Sequence, residues 1–469
     1  MSRRWRCLTY EESGLNLDKI DGILALIPEE IVLQAAEKSG NGSSVRSRCC
    51  PLTRRVLVWV VLAMALFTDR SIRQVFRLCR RFHRDDVTPS RSALCRGRQR
   101  LGVAPIRAVH ESVVQCLGTR DRPGCFYKGH RCMGIDGVTF TVPDTPANER
   151  AFGRPKGGST SQSVGAFPIV GKVNLVELGT HVDLASAFRA HHQGEPTIAR
   201  RLIKHLTPEM LVFLDAGFFG YCLLRMIIAT GAKFIVRVQS GPILKPIRVL
   251  RDGSYLSKIY PSVRDRERDQ NGQLVRVIEY TLDDPQRTGH NERHRLVTNL
   301  LDELQYPATE LTVLYHERWE HELVNDEQKT HQDPKRATKP THLRSETPAG
   351  VIQELTAISV VHYLVRKIMW EAAGTVEPSL DVDRLSFTGT FHILQARIPE
   401  CPTDSHEARH VWFRNLLYEA LEERVPPRRN RINPRVLKQP RAKWPSKKPE
   451  HRSLPPLRKS FRDCVVIRL

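Results

Sequence analysis

The chain has 469 residues and a mass of 53.6 kDa, enough for two to four structural units at ~100–200 residues per domain. Apolar residues make up 40% and charged residues 26%, an ordinary globular composition that excludes a disordered or collagen-like chain. Lys and Arg number 73 against 51 Asp and Glu, a net charge of +22 with a pI near 9.8, which points to a polyanionic partner: nucleic acid first, an anionic membrane second.

The longest apolar stretch, 56–67, is short of the ~20 residues a membrane span needs and reads as a buried helix, so no membrane role is expected. The basic start, Met1-Ser-Arg-Arg-Trp5, leads into no apolar signal core. Eleven scattered cysteines without a CxxC pair fit reduced thiols and a cytoplasmic location. The histidines form no HExxH pattern, so a structural zinc site is not expected.

In chain order, residues 1–120 read as a helical domain that binds DNA. Apolar spacing predicts helices over 15–27 and 29–38, a Gly/Ser loop over 39–44, and helices over 56–67 and 71–82. Thr88 with Pro89 opens a further helix that carries Arg96, Arg98 and Arg100 and stops at Gly102. Two short basic helices in succession could form a helix-turn-helix, or a basic hairpin that only packs on the rest. Residues 126–240 predict strands over 131–135, 138–142, 168–178, 182–188, 210–214 and 232–238, with helices over 195–206 and 219–230. Strands first and alternation afterwards make an α/β sheet with one antiparallel meander. Residues 241–306 alternate apolar and polar positions over 255–260, 274–280 and 295–300, a β-rich insertion. Residues 307–375 hold two helices, over 311–332 and 348–370, the second capped by Thr347 with Pro348 in its first turn and apolar nearly all round, hence buried. A helix over 406–423 falls in the helical region 376–424. Residues 425–469 carry 14 Lys and Arg against two acids, with eight prolines, and read as an extended, partly disordered tail that contacts phosphates.

Three carboxylates stand out. Asp136, in Ile135-Asp-Gly, and Asp215, in Leu214-Asp-Ala-Gly217, each end an apolar run before a glycine. Strand ends of open α/β sheets are where ligands bind, although a strand-terminal Asp is also a common turn residue. Glu322 lies on the helix predicted over 311–332. At 100° per residue Tyr315, Arg318, Glu322 and Lys329 share one face, flanked by Trp319 and Asp326. An acid among bases and a tyrosine is either a solvated ion-pair face or a site facing phosphate. Three acids suffice for two-metal phosphodiester cleavage, because Mg²⁺ prefers oxygen donors and uses few carboxylates.

With these motifs the sequence resembles the bacterial DDE transposases of the insertion-sequence-four family. The resemblance rests on Tyr315-His-Glu-Arg318-Trp319-Glu-His-Glu322 followed after six residues by Lys329, and on Ile135-Asp136-Gly137 with Pro143-Asp144-Thr-Pro-Ala-Asn148 and Phe152-Gly153. It extends to Leu214-Asp215-Ala-Gly217-Phe218-Phe219, Leu343-Arg-Ser-Glu-Thr-Pro348 and Arg431-Ile-Asn-Pro-Arg-Val-Leu-Lys438. It implies an RNase H-like catalytic core with a β-rich insertion, and Asp136, Asp215 and Glu322 as catalytic ligands of Mg²⁺, which Mn²⁺ replaces. It implies that Tyr315, Arg318 and Lys329 grip phosphates, with Trp319 beside them. It further implies cleavage and strand transfer on double-stranded DNA, at the element's ends and a target, by a homodimer in a bacterial cytoplasm, associated with the nucleoid. The other readings are an inactive or domesticated DNA-binding protein and a related RNase H-like nuclease. Two features depart from the family pattern: Gln328 occupies an apolar position, and Asn325-Asp326-Glu327 is acidic for a helix facing DNA.

Overall fold

The computed structural model describes residues 26–37, 52–79, 88–155, 165–285, 290–332, 341–376, 380–402, 405–427 and 459–467. The loop expected over 39–44, most of the helix over 15–27, the 431–438 motif and most of the basic tail lie outside them. The chain divides into two compact units, residues 1–205 with 320–425, and residues 206–319 with 426–469.

The first unit begins with α1 (Glu29–Glu37), α2 (Arg54–Leu66), α3 (Ile72–Leu78), α4 (Arg91–Leu101) and α5 (Ala104–Val113). Thr53 caps α2 and Ser71 closes a capping box on α3, each satisfying an otherwise unpaired backbone donor. Ser90 caps α4, two residues after the start expected at Thr88; Gly102, at φ 71°, ends it as expected. Arg96 and Arg100 are exposed, but Arg98 is buried and donates to Ser345 Oγ and the Gly350 carbonyl. Only part of this basic helix therefore faces solvent.

The short strand β1 (Phe126–Tyr127) pairs with β2 (His130–Thr141), and β2, β3 (Ile169–Glu177) and β4 (Val182–Ala190) form an antiparallel meander. Between them, α6 (Pro146–Phe152) is capped by Thr145. The helix expected over 195–206 is α7 (Glu195–Ala199) followed by a 3₁₀ turn, Arg200–His205.

The core is organised around α12 (Pro348–Gly374), capped by Thr347 with Pro348 in its first turn. This helix is long and apolar enough to cross a membrane, but 83% of its most apolar window is buried, so it is the central core helix. It packs on α2, α5, β4, α13 (Phe387–Arg397) and α14 (His406–Glu422). Arg344, just ahead of α12, donates to the Met64, Thr68 and Arg70 carbonyls and clamps the end of α2. Asn148 donates to the Pro143 and Ser345 carbonyls, so two of the family-like motifs are tied to each other structurally.

In the second unit, β5 (Met210–Leu214) runs parallel to β6 (Lys233–Val238) across α8 (Tyr221–Ala229). The strands β7 (Arg248–Val249), β8 (Tyr255–Ile259), β9 (Gln273–Leu282) and β10 (His294–Thr298) follow, with α9 (Val263–Glu267) after β8. They are antiparallel in the order β10-β9-β8-β7, and β10 pairs with β6. The β-rich segment thus continues the sheet that carries Asp215. Near the C-terminus α15 (Phe461–Cys464) leads into β11 (Val465–Ile467), which pairs with β9, so this part of the tail is ordered sheet.

Candidate active site

The helix expected over 311–332 is interrupted. α10 (Ala308–His316) ends before a turn at Glu317–Arg318, and α11 (Trp319–Asp326) runs into a π-helical turn, Glu327–His331. Tyr315, Arg318, Glu322 and Lys329 therefore do not share the face of one regular α-helix. The π turn changes the phase between Glu322 and Lys329, and such turns are frequent at functional sites.

Asp136 does not end a strand, as expected; it is half-buried within β2 and opposite Asn174 on β3. Gly137 does not turn the chain either. A Cβ there would lie 2.5 Å from the Glu195 carboxylate, so glycine is needed for close approach. Asp136 Oδ1 accepts a hydrogen bond from the Gly137 amide at 2.8 Å.

Residues opposite each other in an antiparallel pair share a face, so the Asn174 side chain lies beside Asp136. Asn174 Oδ1 pairs with His321 Nε2 at 2.9 Å, and its amide reaches Asn325 Oδ1 at 3.4 Å. Gly134, two residues before Asp136 on the same face, leaves room for His321, whose Nδ1 would be 2.5 Å from a Cβ at that position. The face of β2 that carries Asp136 is therefore the face on which α11 lies. Glu322, half-buried, is the residue after His321.

In the second unit, Asp215 directly follows β5 and precedes a 3₁₀ turn, Ala216–Phe218. It occupies the cap position of that turn, but its side chain makes no capping hydrogen bond. Asp215 is half-buried, and a Cβ at Gly217 or Gly220 in the segment after it would meet nothing within 4 Å. Tyr315 is expected to grip phosphate, but it is buried and its hydroxyl donates to the Leu214 carbonyl at 2.9 Å. Burial pushes its phenol pKa well up, so it remains a donor. Its observed task is to fasten α10 to the strand end that carries Asp215. Trp319 is exposed, and the Arg318 guanidinium lies 5.8 Å from its ring centroid. Lys329, half-buried, lines a small cavity with Thr68, Phe140, His342 and Arg344.

The two departures in the signature helix have a structural cause. Gln328 is buried, accepting from Lys172 Nζ at 2.6 Å and donating to Asp183 Oδ2 at 3.0 Å. Lys172 and Asp183 form a fully buried ion pair at 2.5 Å. Asn325 and Glu327 also point inward, and of the three acidic-run residues only Asp326 is exposed. Glu327 accepts from Arg366 and pairs with His362 Nε2 at 2.9 Å. Burial alone would raise the Glu327 pKa, but Arg366 and His181 outweigh it and hold the carboxyl well below its ordinary range. Glu327 is therefore a core residue, and Asp326, paired with His331 at 3.1 Å, is the acid of this run that stays at the surface.

Sequence reasoning did not anticipate this interior polar layer. One part of it, His181, Glu320 and Asp383, places its ligand-type atoms within 4.8 Å of one another. The group is buried, and the Arg366 guanidinium contacts His181 Nδ1 and Glu327. A resident cation already supplies positive charge there, so the arrangement is an internal ion-pair network and is separate from the three expected acids. The signal for it was His181, a lone histidine between two predicted strands.

Comparison with known proteins adds a family. The family described as Insertion element 4 transposase N-terminal matches residues 18–111, and the Transposase DDE domain family matches residues 127–348. The chain is 28% identical over 423 residues to the Escherichia coli transposase InsG of insertion sequence element IS4, covering 89% of this chain and 91% of that one. It is 27% identical over 135 residues to the putative E. coli transposase InsZ, covering 29% of this chain and 44% of that protein. A piggyBac transposase synaptic complex with hairpin DNA is a loose structural neighbour, 12% identical with a TM-score of 0.39 over 86% of this chain and 84% of its own.

Proposed function

The chain belongs to the DDE transposases of the insertion element 4 family, and we propose that it acts on the ends of its own element through Asp136, Asp215 and Glu322. It is a DNA transposase, an enzyme of a family that depends on a divalent metal. The fold reading is RNase H-like: an antiparallel meander carries the first acid, and the second follows a strand in a parallel pair. The observation that carries the site reading lies in the first unit, where His321, just before Glu322, is fastened to the residue opposite Asp136. Within the second unit, Tyr315 is fastened to the carbonyl just before Asp215.

The donor set consists only of carboxylate oxygens, which fits Mg²⁺, with Mn²⁺ as a substitute, and does not favour zinc. When bound, such ions activate the attacking oxygen and stabilise the leaving one. The chain's own residues supply the remaining tasks. Arg318 and Lys329 hold the phosphates that flank the cut, and Arg318 does so with two parallel hydrogen bonds. Trp319 offers a stacking face beside them. Arg96 and Arg100 of the N-terminal helical domain, and the basic tail over 425–469, bind phosphates without reading bases. Joining requires two element ends and a target held together, so the working form is a homodimer on double-stranded DNA in the bacterial cytoplasm, at the nucleoid.

The test is excision from a plasmid carrying the gene with its native flanking DNA. Divalent-metal-dependent cuts should map to both flanks with the wild type and be absent with Asp215→Asn, which should still bind DNA. Cleavage that survives Asp215→Asn removes Asp215 from the mechanism. Tight, salt-sensitive DNA binding with no cuts by the wild type on intact flanks favours an inactive DNA-binding protein.

A further inference from the structure

The first unit contains a cavity of about 420 Å³ on the side of the meander formed by β4, where α5, the Arg200–His205 turn and α12 meet. None of the residues assigned above to catalysis or DNA contact lines it. Its mouth carries Arg107, Arg201 and Lys204, all exposed, and none forms an ion pair among the described residues. One acid, Glu111, sits among them, leaving an excess of positive charge. One wall is apolar, with the half-buried ring of Phe188. His110 lies at the buried end; one ring nitrogen is bonded to the backbone of Asp183, and Nε2 is buried with no hydrogen-bond partner among the described residues.

Unpaired cations converging on a concave site bind an anion, and guanidinium groups favour phosphate over a simple point charge. A phosphate alone would leave most of this volume unfilled, since the cavity has the size of a small-molecule site. The apolar wall suits a planar ring, which stacks on an aromatic side chain whatever its sequence identity. An orphaned histidine nitrogen in a buried wall suits a ligand edge that can donate a hydrogen bond. We propose that this cavity binds a nucleotide unit, with its phosphate at Arg107, Arg201 and Lys204 and its base against Phe188, as a second nucleotide site separate from the cutting site. The unit is either a free mononucleotide or a nucleotide at the end of a DNA strand.

The test titrates deoxyadenosine 5′-monophosphate into the full-length protein in EDTA, by calorimetry, so the result does not depend on the carboxylate site. Saturable 1:1 binding is expected. The double variant Arg201→Glu/Lys204→Glu should weaken it at least tenfold. The control Arg264→Glu/Arg268→Glu, equally exposed in the second unit, should leave it within twofold. Leu184→Trp fills the cavity without changing charge and should abolish nucleotide binding while the circular dichroism spectrum stays native. Inorganic phosphate should compete at least tenfold more weakly than the nucleotide. Displacement of the nucleotide by a duplex with a one-nucleotide 3′ overhang assigns the site to DNA ends; failure to displace assigns it to free nucleotide. Absence of saturable binding, equal loss in the control variant, unchanged binding by Leu184→Trp, or phosphate competing as well as the nucleotide would each overturn the proposal.

Discussion

Replacing Lys172 with Met should destabilise the first unit by about 3–5 kcal/mol, the range for removing one partner of a buried ion pair. Lys172 is fully buried in β3, and its ammonium donates to Asp183 Oδ2 at 2.5 Å, Gln328 Oε1 at 2.6 Å and Ser359 Oγ at 2.8 Å. Methionine matches the stem in length, so the cavity contribution is small and the loss is almost all electrostatic. Asp183 is then left buried without its cation, with Gln328, Ser359 and Ser186 as its side-chain donors among the described residues. If the pair behaved as a surface salt bridge, the cost would be about 0–1 kcal/mol, so the two outcomes are well separated. Urea unfolding followed by circular dichroism reads the difference as a shift in midpoint at constant slope. Lys172→Met/Asp183→Leu, which removes both charges, should recover more than half of the loss. A single-variant cost under about 1 kcal/mol, or a double variant worse than either single change, would refute the assignment of this pair as the structural centre beneath Gln328 and Lys329.

Tyr315→Phe should cost about 1 kcal/mol in urea unfolding, the usual worth of one hydrogen bond, and should slow cleavage with little change in DNA affinity, because the hydroxyl holds a strand end and not a phosphate. A large loss of DNA affinity in a gel-shift titration would return Tyr315 to the phosphate contacts. Asn174→Ala should reduce the cleavage rate about 10- to 100-fold, as loss of a side chain that orients a metal-binding group does, while leaving DNA binding intact. Unchanged cleavage kinetics would show that the His321 contact does not orient Glu322. Glu327 is held below its ordinary pKa in the folded state, so its stabilisation is complete above the unfolded value near 4.5 and is lost as pH falls through the folded value. The wild type should lose stability below about pH 4.5 with a steeper slope than Glu327→Gln, and parallel slopes in acid titrations would contradict the ion-pair network.

The secondary structure was legible wherever local pattern and burial agree. Residues 210–214, with five consecutive apolar side chains, are β5 as expected, and the alternation over 255–260 is β8. Thr347 with Pro348 marked the start of α12. What the pattern missed depends on contacts distant in sequence. Asp136-Gly137 reads locally as a turn, yet β2 continues because pairing to β3 runs through from Met133 to Thr141. The interruption at Glu317–Arg318 and the π turn after Asp326 carry no Pro or Gly, so nothing local announces them. The strand Val465–Ile467 lies in a tail whose prolines and charges argue for disorder, and it forms because β9 offers it a partner.

The same distinction explains the acidic look of the signature helix. Composition counts Glu320 and Glu327 as negative charge on a surface meant for DNA, but both are buried against His181, with Arg366 alongside. An exposed carboxylate near phosphate repels it across about a Debye length, whereas a buried one beside a guanidinium presents almost no net field outward. Arg366 is i+4 from His362 on α12, so both reach the same Glu327 from one face of the core helix. The interior acid Glu327 thus fixes the segment between Glu322 and Lys329 from the core side, while Glu322 and Lys329 themselves are half-buried and Asp326 is exposed. For that reason the electrostatic role of a charge in this helix depends on which side of the core its side chain enters, and a charge count along the sequence cannot supply it.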